Sequence, residues 1–288
     1  MGVNLQTLKD IRNYLANELK DIYPEREISS LTSIIVYTVL GIQKLRFARE
    51  PDLHLSAEDS EKVVSICAAL KKGIPIQYIT GETVFYNCRI KVTTEILIPR
   101  QETEELADLV IKENPGYSGR ILDIGTGSGC IAIALALNLP DADITGIDIS
   151  EGAIKVAREN ALLNNANASF LVGDIFNPDI RKTGTTGMIV SNPPYVRESE
   201  KQFMSVNVLG HEPHIALFVP DEDPLVFYRA VLDLAGDLLA RNGKIYFEMN
   251  EAMGIRLSGL LDTYGYSGIS IINDINGKQR IIKAVKYA

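Results

Sequence analysis

An asparagine followed by two prolines and a tyrosine ends an apolar run, and no other stretch is as well suited to chemistry. After Met188–Val190 come Ser191, Asn192, Pro193, Pro194 and Tyr195. The run predicts a buried strand that the prolines must end, because proline fixes φ and has no N–H to donate. A tight turn is the alternative interpretation, since Asn-Pro pairs often begin turns.

The chemistry that this stretch favours is the holding of a planar nitrogen. The Asn192 side-chain oxygen and a proline carbonyl are two acceptors on stiff backbone, and Tyr195 adds a flat face. An amide or aromatic-amine nitrogen is a poor nucleophile, so two acceptors on its N–H groups would position it for attack. Attack on a sulfonium methyl would need positioning and electrostatics, and neither a metal nor a nucleophilic side chain.

A glycine-rich segment after Asp123 predicts a cofactor loop between a strand and a helix. The segment contains Gly125, Thr126, Gly127, Ser128 and Gly129. Glycines let the backbone turn sharply and approach a ligand closely. The third glycine stands one position earlier than in the dinucleotide fingerprint, so the spacing favours an S-adenosylmethionine loop instead.

Acids also end the next two predicted strands. Asp148 is placed to accept from both ribose hydroxyls, and Asp174 from the adenine amine, with Ile175 and Phe176 as candidate covers for the ring. Plain strand-end turns are the alternative. Three successive strands that each end in an acid, beginning with Asp123, favour the cofactor site.

Other chemistries have little support in the sequence. There is no G-x-S-x-G elbow and no P-loop. His211 and His214 are spaced for one helical face, but Pro213 lies between them, so we expect ordinary loop histidines and no metal site. The three scattered cysteines form neither a disulfide framework nor a metal-ligand pattern.

The elements that position these residues alternate between strand and helix. Strands are predicted over 121–124, 144–149, 169–172, 187–190 and 244–249, helices over 101–114, 130–138, 151–164 and 224–240, and a long loop over 196–223. Asn276-Gly277 predicts a closing hairpin between 269–272 and 280–285. A doubly wound, mostly parallel α/β sheet with this ending is the layout of class I, Rossmann-like methyltransferases.

The first part of the chain has a helical pattern. Apolar residues recur every three or four positions from Leu5 to Ile22, with Pro24 ending the helix, and a second helix is expected over about 31–47 behind Ser29 and Ser30. We expect three parts: a helical substrate-recognition domain over 1–74, a β-hairpin linker over 75–99 and a methyltransferase domain over 100–288.

Charge and hydropathy limit the partners that we expect. The formal net charge is −8, and residues 1–90 are neutral, with 11 basic and 11 acidic residues. No Lys/Arg-rich stretch suggests a phosphate-binding surface, which weighs against direct nucleic-acid binding. The longest apolar run, Cys130–Leu137, is too short for a membrane span, and no signal pattern begins the chain. We expect a cytoplasmic monomer.

The sequence resembles the HemK-type release factor glutamine methyltransferases over most of its length. The resemblance is carried by Pro75–Gly81 with Phe85, Ile98–Glu104, Asp123–Gly129, Asn192–Tyr195, Glu212-Pro213 with Ala216-Leu217, and Gly265-Tyr266 with Asp274, Gly277 and Arg280. Asn-Pro-Pro-Tyr alone is shared with adenine N-methyltransferases. Its combination with the Pro-Arg-x-x-Thr-Glu segment and a helical N-terminal domain is highly specific.

The resemblance implies transfer of a methyl group from S-adenosylmethionine, with S-adenosylhomocysteine as product. The acceptor would be the side-chain amide of the Gln in the Gly-Gly-Gln motif of peptide chain release factors. Gly125–Gly129, Asp148 and the residues around Asp174 would hold the cofactor. Asn192 would border the cofactor and, with its Pro-Pro-Tyr, bind the amide, and the N-terminal bundle would help to grip the release factor. The chain departs from the family at Gln101-Glu102, where Pro-Asp is common, and at Ile175, where an aromatic residue is common.

Four alternatives stay open at this point. A sister enzyme could act on a ribosomal-protein glutamine, or the enzyme could methylate adenine in nucleic acid, which the acidic charge opposes. A cofactor-binding module without catalysis would not require Asn192 and its prolines. An NAD oxidoreductase is opposed by the displaced third glycine.

Overall fold

The chain folds as two compact units. The computed structural model describes residues 3–177 and 184–287. One unit comprises the residues up to Thr80 together with Val206–His211, and the other runs from Gly81 to Ser205 and from Glu212 onward. The predicted boundary at residue 74 and the linker over 75–99 stay predictions. Within the described ranges, no helix is long and apolar enough to cross a membrane.

The first unit is built from short helices around one apolar core. Its helices before Gly81 are α1 (Leu8–Leu19), α2 (Glu25–Leu40), α3 (Lys44–Arg49), α4 (Ala57–Lys71) and α5 (Ile76–Thr80). The predicted stripe is buried from Leu5 to Leu19, but α1 ends at Leu19 and not at Pro24, so Ile22 lies beyond the helix and is exposed. Thr7 begins α1 with a capping box, in which the Thr7 hydroxyl accepts from the Asp10 N–H and the Asp10 carboxylate accepts from the Thr7 N–H.

The second helix begins and ends earlier than predicted. Pro24 is its extended N-cap residue, and acids at Glu25 and Glu27 suit the positive end of the helix dipole. The predicted caps Ser29 and Ser30 therefore lie inside the helix. Gly41, with φ 68°, takes the left-handed conformation that ends helices, so the chain breaks before α3.

Among the described residues, the strands lie in the second unit. They are β1 (Glu82–Phe85), β2 (Cys88–Lys91), β3 (Arg120–Ile124), β4 (Asp143–Asp148), β5 (Ala168–Val172), β6 (Thr186–Ser191), β7 (Val196–Arg197), β8 (Phe218–Val219), β9 (Leu239–Glu248), β10 (Tyr266–Asn273) and β11 (Gln279–Lys286). The remaining helices are α6 (Gln101–Glu113), α7 (Cys130–Asn138), α8 (Glu151–Asn164), α9 (Val206–His211, in the first unit), α10 (Val226–Leu238) and α11 (Gly254–Thr263).

Seven strands form one sheet in the order β10-β11-β9-β6-β3-β4-β5. The five strands from β9 to the edge strand β5 are parallel, and β11 runs antiparallel to β9 and to β10. Helix α7 contacts α6 and α8, while α10 packs against α11 over a core that contains Tyr228 and Phe247. The predicted doubly wound α/β sheet with an antiparallel hairpin at its end is confirmed.

Two regions differ from their predictions. The predicted loop over 196–223 contains the short parallel pair β7–β8, two 3-10 turns (Glu198–Phe203 and His214–Ala216) and α9. The closing hairpin exists, but its turn is longer than an Asn-Gly pair, because Gly277 N–H donates to Asp274 O and Asp274 N–H to Lys278 O. Of that pair only Gly277 has a positive φ, so the two-residue type I′ geometry does not form.

Two asparagines of α8 hold the β1–β2 hairpin against the sheet domain. Asn160 is fully buried; its Oδ1 accepts from Lys91 N (2.7 Å), and its Nδ2 donates to Lys91 O (3.1 Å) and Ser128 O (3.0 Å). Asn164, one turn later, makes the same paired contact with the backbone of Arg89 at an exposed position. The side-chain amides satisfy the free edge of β2, and Asn160 also ties it to the glycine loop.

Replacement of Asn160 by alanine should destabilise the protein much more than the same change at Asn164. The first change removes three hydrogen bonds made by a fully buried side chain and leaves the buried Ser128 carbonyl without this partner, at a cost of about 2 to 4 kcal/mol, whereas water can replace the exposed amide at a cost below about 1 kcal/mol. Urea unfolding followed by circular dichroism measures both. Equal losses would contradict the assigned role of Asn160.

Candidate active site

The sheet brings the glycine loop and the Asn-Pro-Pro-Tyr stretch side by side. Strands β3, β4 and β5 run outward in one direction and β6 returns to the other side of β3, so the chain reverses between β3 and β6. Ile124 pairs with Ser191, and the Ser191 hydroxyl donates to Ile124 O (2.7 Å). Asn192 therefore follows β6 where Gly125 follows β3, at the crevice where open α/β sheets bind ligands.

The glycine loop is shaped by three left-handed residues. Gly125, Gly127 and Gly129 have φ of 72°, 53° and 80°. A Cβ at Gly129 would lie 3.0 Å from Ala157 and Phe170, so the loop packs closely behind that residue, whereas Cβ positions at Gly125 and Gly127 meet no heavy atom within 4 Å. The loop thus presents open backbone, to which a ligand has close access.

Asp123 lies beneath this loop and is completely buried. Its Oδ2 accepts from Thr126 Oγ1 (2.5 Å) and from Ala132 N (3.2 Å), which ties the loop to the start of α7. Its Oδ1 is buried without a hydrogen-bond partner among the described residues. Burial raises the pKa of Asp123 to about 7, and these two hydrogen bonds oppose the rise.

Asp148, at the end of β4, already holds the loop through its own carboxylate. Its Oδ2 accepts from Gly127 N (2.8 Å) and its Oδ1 from Ser150 N (3.0 Å). Burial raises the pKa of Asp148, and the backbone N–H groups oppose that rise. Each carboxylate oxygen keeps a further lone pair, so two hydroxyl donors can still bind.

Asp174, the third strand-end acid, is followed by two apolar residues whose side chains lie in different surroundings. The Asp174 carboxylate accepts from Phe176 N (2.9 Å) and so forms a local turn after β5. Ile175 packs against the core, whereas Phe176 is exposed with its ring 5.7 Å from that of Phe227. Of the two candidate ring covers, Phe176 is the one with an accessible face.

Asn192 ends a hydrogen-bonded chain that runs through the interior. Its Nδ2 donates to Thr103 Oγ1 (3.0 Å), and the Thr103 hydroxyl donates to Glu248 Oε2 (2.6 Å). The Tyr195 hydroxyl donates to the other oxygen of Glu248 (2.9 Å). Thr103 lies in the first turn of α6, and Glu248 ends β9, whose Phe247 pairs with Ser191. One buried carboxylate therefore anchors both ends of the Asn-Pro-Pro-Tyr stretch.

The Glu248 carboxylate is surrounded by these two hydroxyls, the Arg280 cation and the charge of Glu102. The residue is fully buried, and burial raises its pKa, while the hydrogen bonds from Thr103 and Tyr195 and the charge of Arg280 oppose the rise. Arg280 is itself held by the Asp274 carboxylate (3.3 Å). Burial, with the nearby Glu248 charge, also raises the pKa of Tyr195 far above its ordinary value, so its hydroxyl stays protonated.

An ion pair between the buried Glu212 and the partly exposed Arg100 fixes the segment that leads into α6. Glu212, with 1% of its side chain exposed, accepts from the Arg100 guanidinium (2.5 Å) and from Ile98 N (3.2 Å). Arg100 is the residue before α6 and Thr103 follows within its first turn. The Pro-Arg-x-x-Thr-Glu segment is thereby held in place before α6, by Glu212, and within the first turn of α6, by the contact of Thr103 with Glu248.

Thr103 and Glu248 are residues of this site that the sequence reasoning did not single out. Thr103 lies inside the Ile98–Glu104 segment, but the segment alone does not say which side chain turns inward. Glu248 follows the apolar run Ile245–Phe247, so the rule that located Asp123 and Asp148, an acid at a strand end, also applies to it. His214, by contrast, packs its ring edge against Phe218 (5.2 Å).

Comparison with known proteins agrees with this architecture. The family model of the PrmC N-terminal domain matches residues 10–81, and that of the methyltransferase small domain matches residues 76–214. A solved methyltransferase from Pyrococcus furiosus shares the fold, with a TM-score of 0.53 at 18% identity over 81% of this chain and 100% of that one. The fold and the family model define a class I methyltransferase, the class that uses S-adenosylmethionine as methyl donor.

Curated relatives narrow the class to one family. A release factor glutamine methyltransferase of Bacteroides thetaiotaomicron is 45% identical over 95% of this chain and 98% of its own length. One of Flavobacterium psychrophilum is 42% identical over 96% of this chain and 98% of its own length. This chain belongs to the release factor glutamine methyltransferase family, and the predicted resemblance is confirmed.

The buried carboxyl group of Asp123 should make stability depend on pH. Because its folded-state pKa is raised above the unfolded value, the folded state binds the proton more tightly, and stability is lost as pH rises toward and through 7. An Asp123→Asn variant lacks this loss. Its unfolding free energy, measured relative to that of the wild type, should therefore rise by about 2 to 3 kcal/mol between pH 5 and pH 8.

Urea unfolding at several pH values measures this difference. Asp143→Asn is the matched control, because Asp143 begins the neighbouring strand with an exposed side chain. A constant difference between Asp123→Asn and the wild type across this range would contradict the assignment.

Proposed function

We propose that this protein transfers a methyl group to the side-chain amide nitrogen of a glutamine in peptide chain release factors, the Gln of their Gly-Gly-Gln motif. The single observation that carries the proposal is the Asn192 amide beside the glycine loop. Its Nδ2 is committed to Thr103, and its Oδ1 has no partner among the described residues. That oxygen is an acceptor on a stiff mount at the crevice between β3 and β6.

Asn192 and its prolines bind the substrate amide in this proposal. The Asn192 oxygen and a proline carbonyl, of Pro193 or Pro194, accept from the two N–H groups of the glutamine nitrogen. These contacts hold the nitrogen in place and favour its pyramidal, nucleophilic form, since its lone pair is otherwise delocalised. Tyr195 keeps the stretch anchored through Glu248 (2.9 Å) and supports the flat amide from one side.

The cofactor side of the crevice suits S-adenosylmethionine. When bound, this group supplies an electrophilic methyl on a sulfonium and leaves as S-adenosylhomocysteine. The open backbone at Gly125 and Gly127 provides room for the cationic amino-acid moiety, above the buried and unpartnered Oδ1 of Asp123. Asp148 accepts the ribose hydroxyls, and Asp174 with Phe176 receives the adenine, beside Thr126, Ser128, Gly129 and Ile175 of the same edge.

The names of the relatives and the charge of the chain favour a protein substrate over a nucleic acid. Both relatives described above act, by name, on release factor glutamine. The net charge of −8 weighs against adenine in nucleic acid as the acceptor. We further propose that the protein works in the cytoplasm, as a monomer, without direct contact to nucleic acid.

Labelled S-adenosylmethionine separates the candidate substrates. Incubated separately with a release factor, ribosomal proteins and ribosomal RNA, the protein should label only the release factor. A release factor with alanine in place of the Gly-Gly-Gln glutamine should take up no label. Label on the RNA alone, or undiminished label on that variant, would overturn the proposal.

Asn192→Ala should lower kcat by about 100- to 1000-fold, the range for loss of one preorganised polar contact to a transition state. The affinity for S-adenosylmethionine, measured by calorimetry, should stay within about twofold, because that contact is to the acceptor nitrogen. Full turnover in Asn192→Ala would sink the assigned role of this amide.

Asp148→Ala should weaken binding of S-adenosylmethionine by about 10- to 100-fold, since hydrogen bonds to a charged group contribute about 1.5 to 3 kcal/mol each. Calorimetric titration measures it. The control Asp143→Ala removes an exposed carboxylate from the start of the same strand and should bind as the wild type does. An unchanged Kd in Asp148→Ala is the result that would refute the ribose assignment.

A further inference from the structure

We propose that Thr103 and Glu248 are positioning residues that fix the orientation of the Asn192 amide, so that its Oδ1 and not its Nδ2 is available to the substrate nitrogen. The inference rests on the proposed function, because it assumes that Asn192 binds the acceptor amide. The inference explains why Asn192 presents its oxygen, and not its nitrogen, to the substrate. Neither residue touches the substrate or the cofactor in this proposal.

An asparagine side chain has two ends of similar shape and opposite hydrogen-bonding character. The oxygen accepts, the nitrogen donates, and a rotation by half a turn exchanges them. A glutamine amide nitrogen also carries N–H groups, so only the oxygen end of Asn192 can accept from it. With the nitrogen end presented, donors would face donors. The orientation of this amide therefore decides whether the site binds or repels the acceptor group.

The hydrogen bonds from Asn192 to Thr103 and from Thr103 to Glu248 form a relay. Glu248, at its buried end, determines which group donates in each bond. The Thr103 hydroxyl donates to Glu248 Oε2 at 2.6 Å, and the nearby Arg280 charge favours the ionised carboxylate, which accepts and never donates. The same Thr103 oxygen is then left with lone pairs only. It accepts from Asn192, which must offer Nδ2, at 3.0 Å. A charge at the inner end thus sets the orientation of an amide that it does not contact.

The burial of Thr103 and Glu248 strengthens the preference of the Asn192 amide for one orientation. Thr103 is 3% exposed and Glu248 is 0% exposed, so water cannot take the place of either partner. The second oxygen of Glu248 accepts from Tyr195 (2.9 Å), so both oxygens have donors and neither can turn away without leaving a hydroxyl unpaired. An unpaired buried polar group costs more than the net value of a single hydrogen bond.

A double-mutant cycle between Thr103 and Asn192 tests the relay. Thr103→Val keeps the shape and removes the hydroxyl, and it should lower kcat with the release factor at least about tenfold. In the Asn192→Ala background the same change should lower kcat by less than about twofold, because the amide to be oriented is gone. Thr103→Ser keeps the hydroxyl and should stay within about threefold of the wild type.

Glu248→Gln is the second probe, because it keeps size and shape while replacing one acceptor by a donor. The Gln nitrogen can donate to Thr103, whose hydroxyl then donates to Asn192 and turns its nitrogen outward. We expect kcat to fall by about 10- to 100-fold, again without a further loss in the Asn192→Ala background. The Kd for S-adenosylmethionine should stay within about twofold in both Thr103→Val and Glu248→Gln.

Tyr228→Phe is the matched control for loss of a buried hydroxyl beside Glu248. The Tyr228 hydroxyl donates to the Glu248 backbone carbonyl (3.0 Å) and does not reach its carboxylate. This change should lower the melting temperature and leave the effect of Thr103→Val intact. A purely structural role for Thr103 would instead lower stability, cofactor affinity and kcat together.

A spectroscopic measurement separates this proposal from the proposed function. In protein labelled with ¹⁵N at asparagine, the Asn192 side-chain amide signal is assigned by its loss in Asn192→Ala. Thr103→Val and Glu248→Gln should shift that signal, and Thr103→Ser should preserve it, whatever substrate the enzyme uses. The kinetic cycle is run on the substrate that the wild type labels.

Each outcome has one meaning. An unshifted Asn192 signal in both Thr103→Val and Glu248→Gln overturns the relay, as does an equal loss of kcat with and without Asn192. Should Thr103→Val not fold, Glu248→Gln decides by the same two readouts. A shifted signal in an enzyme that labels no release factor supports the relay and refutes the proposed substrate.

Discussion

The parallel pairing of β3 with β6 is the constraint on which the site depends. The two strands are far apart in sequence, and their register sets Ile124 opposite Ser191. The glycine loop and the Asn-Pro-Pro-Tyr stretch are thereby forced out of the sheet at the same level. On the other side of β6, β9 is in a register that brings Glu248 to this level too. Three strand ends thus supply the loop, the amide and the buried carboxylate.

Buried carboxylates are costly, and the donors around each one differ in kind. Asp148 receives two backbone N–H groups and Glu212 receives an arginine and a backbone N–H, while Glu248 receives two hydroxyls. Asp123 is the least satisfied, with both donors on one oxygen and the other oxygen unpaired among the described residues. An unpaired buried acceptor costs stability in the free protein, and a cationic ligand moiety can recover that cost on binding.

The sequence was sufficient for the central sheet because each strand is a short apolar run and each connection has a clear helical pattern. Helices α7 and α8 match their predicted bounds, and the strands differ by a few residues at their ends. Local rules failed where a residue has two uses. Pro24 can end a helix or begin one, but α1 already ends at Leu19 and Pro24 begins α2, while Gly41 ends α2 inside a continuous apolar stripe.

The glycine loop and the strand-end acids could be found from the sequence because their chemistry is local. The Thr103–Glu248 contact could not, since it joins residues 145 positions apart, and no periodicity specifies that the threonine of this acidic first turn points inward. Similarly, nothing in Ile175-Phe176 indicates that the first packs on the core and the second stays exposed. The resemblance located the segment around Thr103, while only the tertiary structure gives that residue a partner.

A charged group at the inner end of the network explains why hydroxyls suffice for the rest. Hydroxyls and amides can point either way, so a network made of them alone has two nearly equal arrangements. Glu248 removes that choice, because it accepts from Thr103 on one oxygen and from Tyr195 on the other. The same carboxylate thus sets the direction of every hydrogen bond between Asn192 and Tyr195. The stiffness of the two prolines fixes where the amide stands, and the charge of Glu248 fixes which end of it is presented.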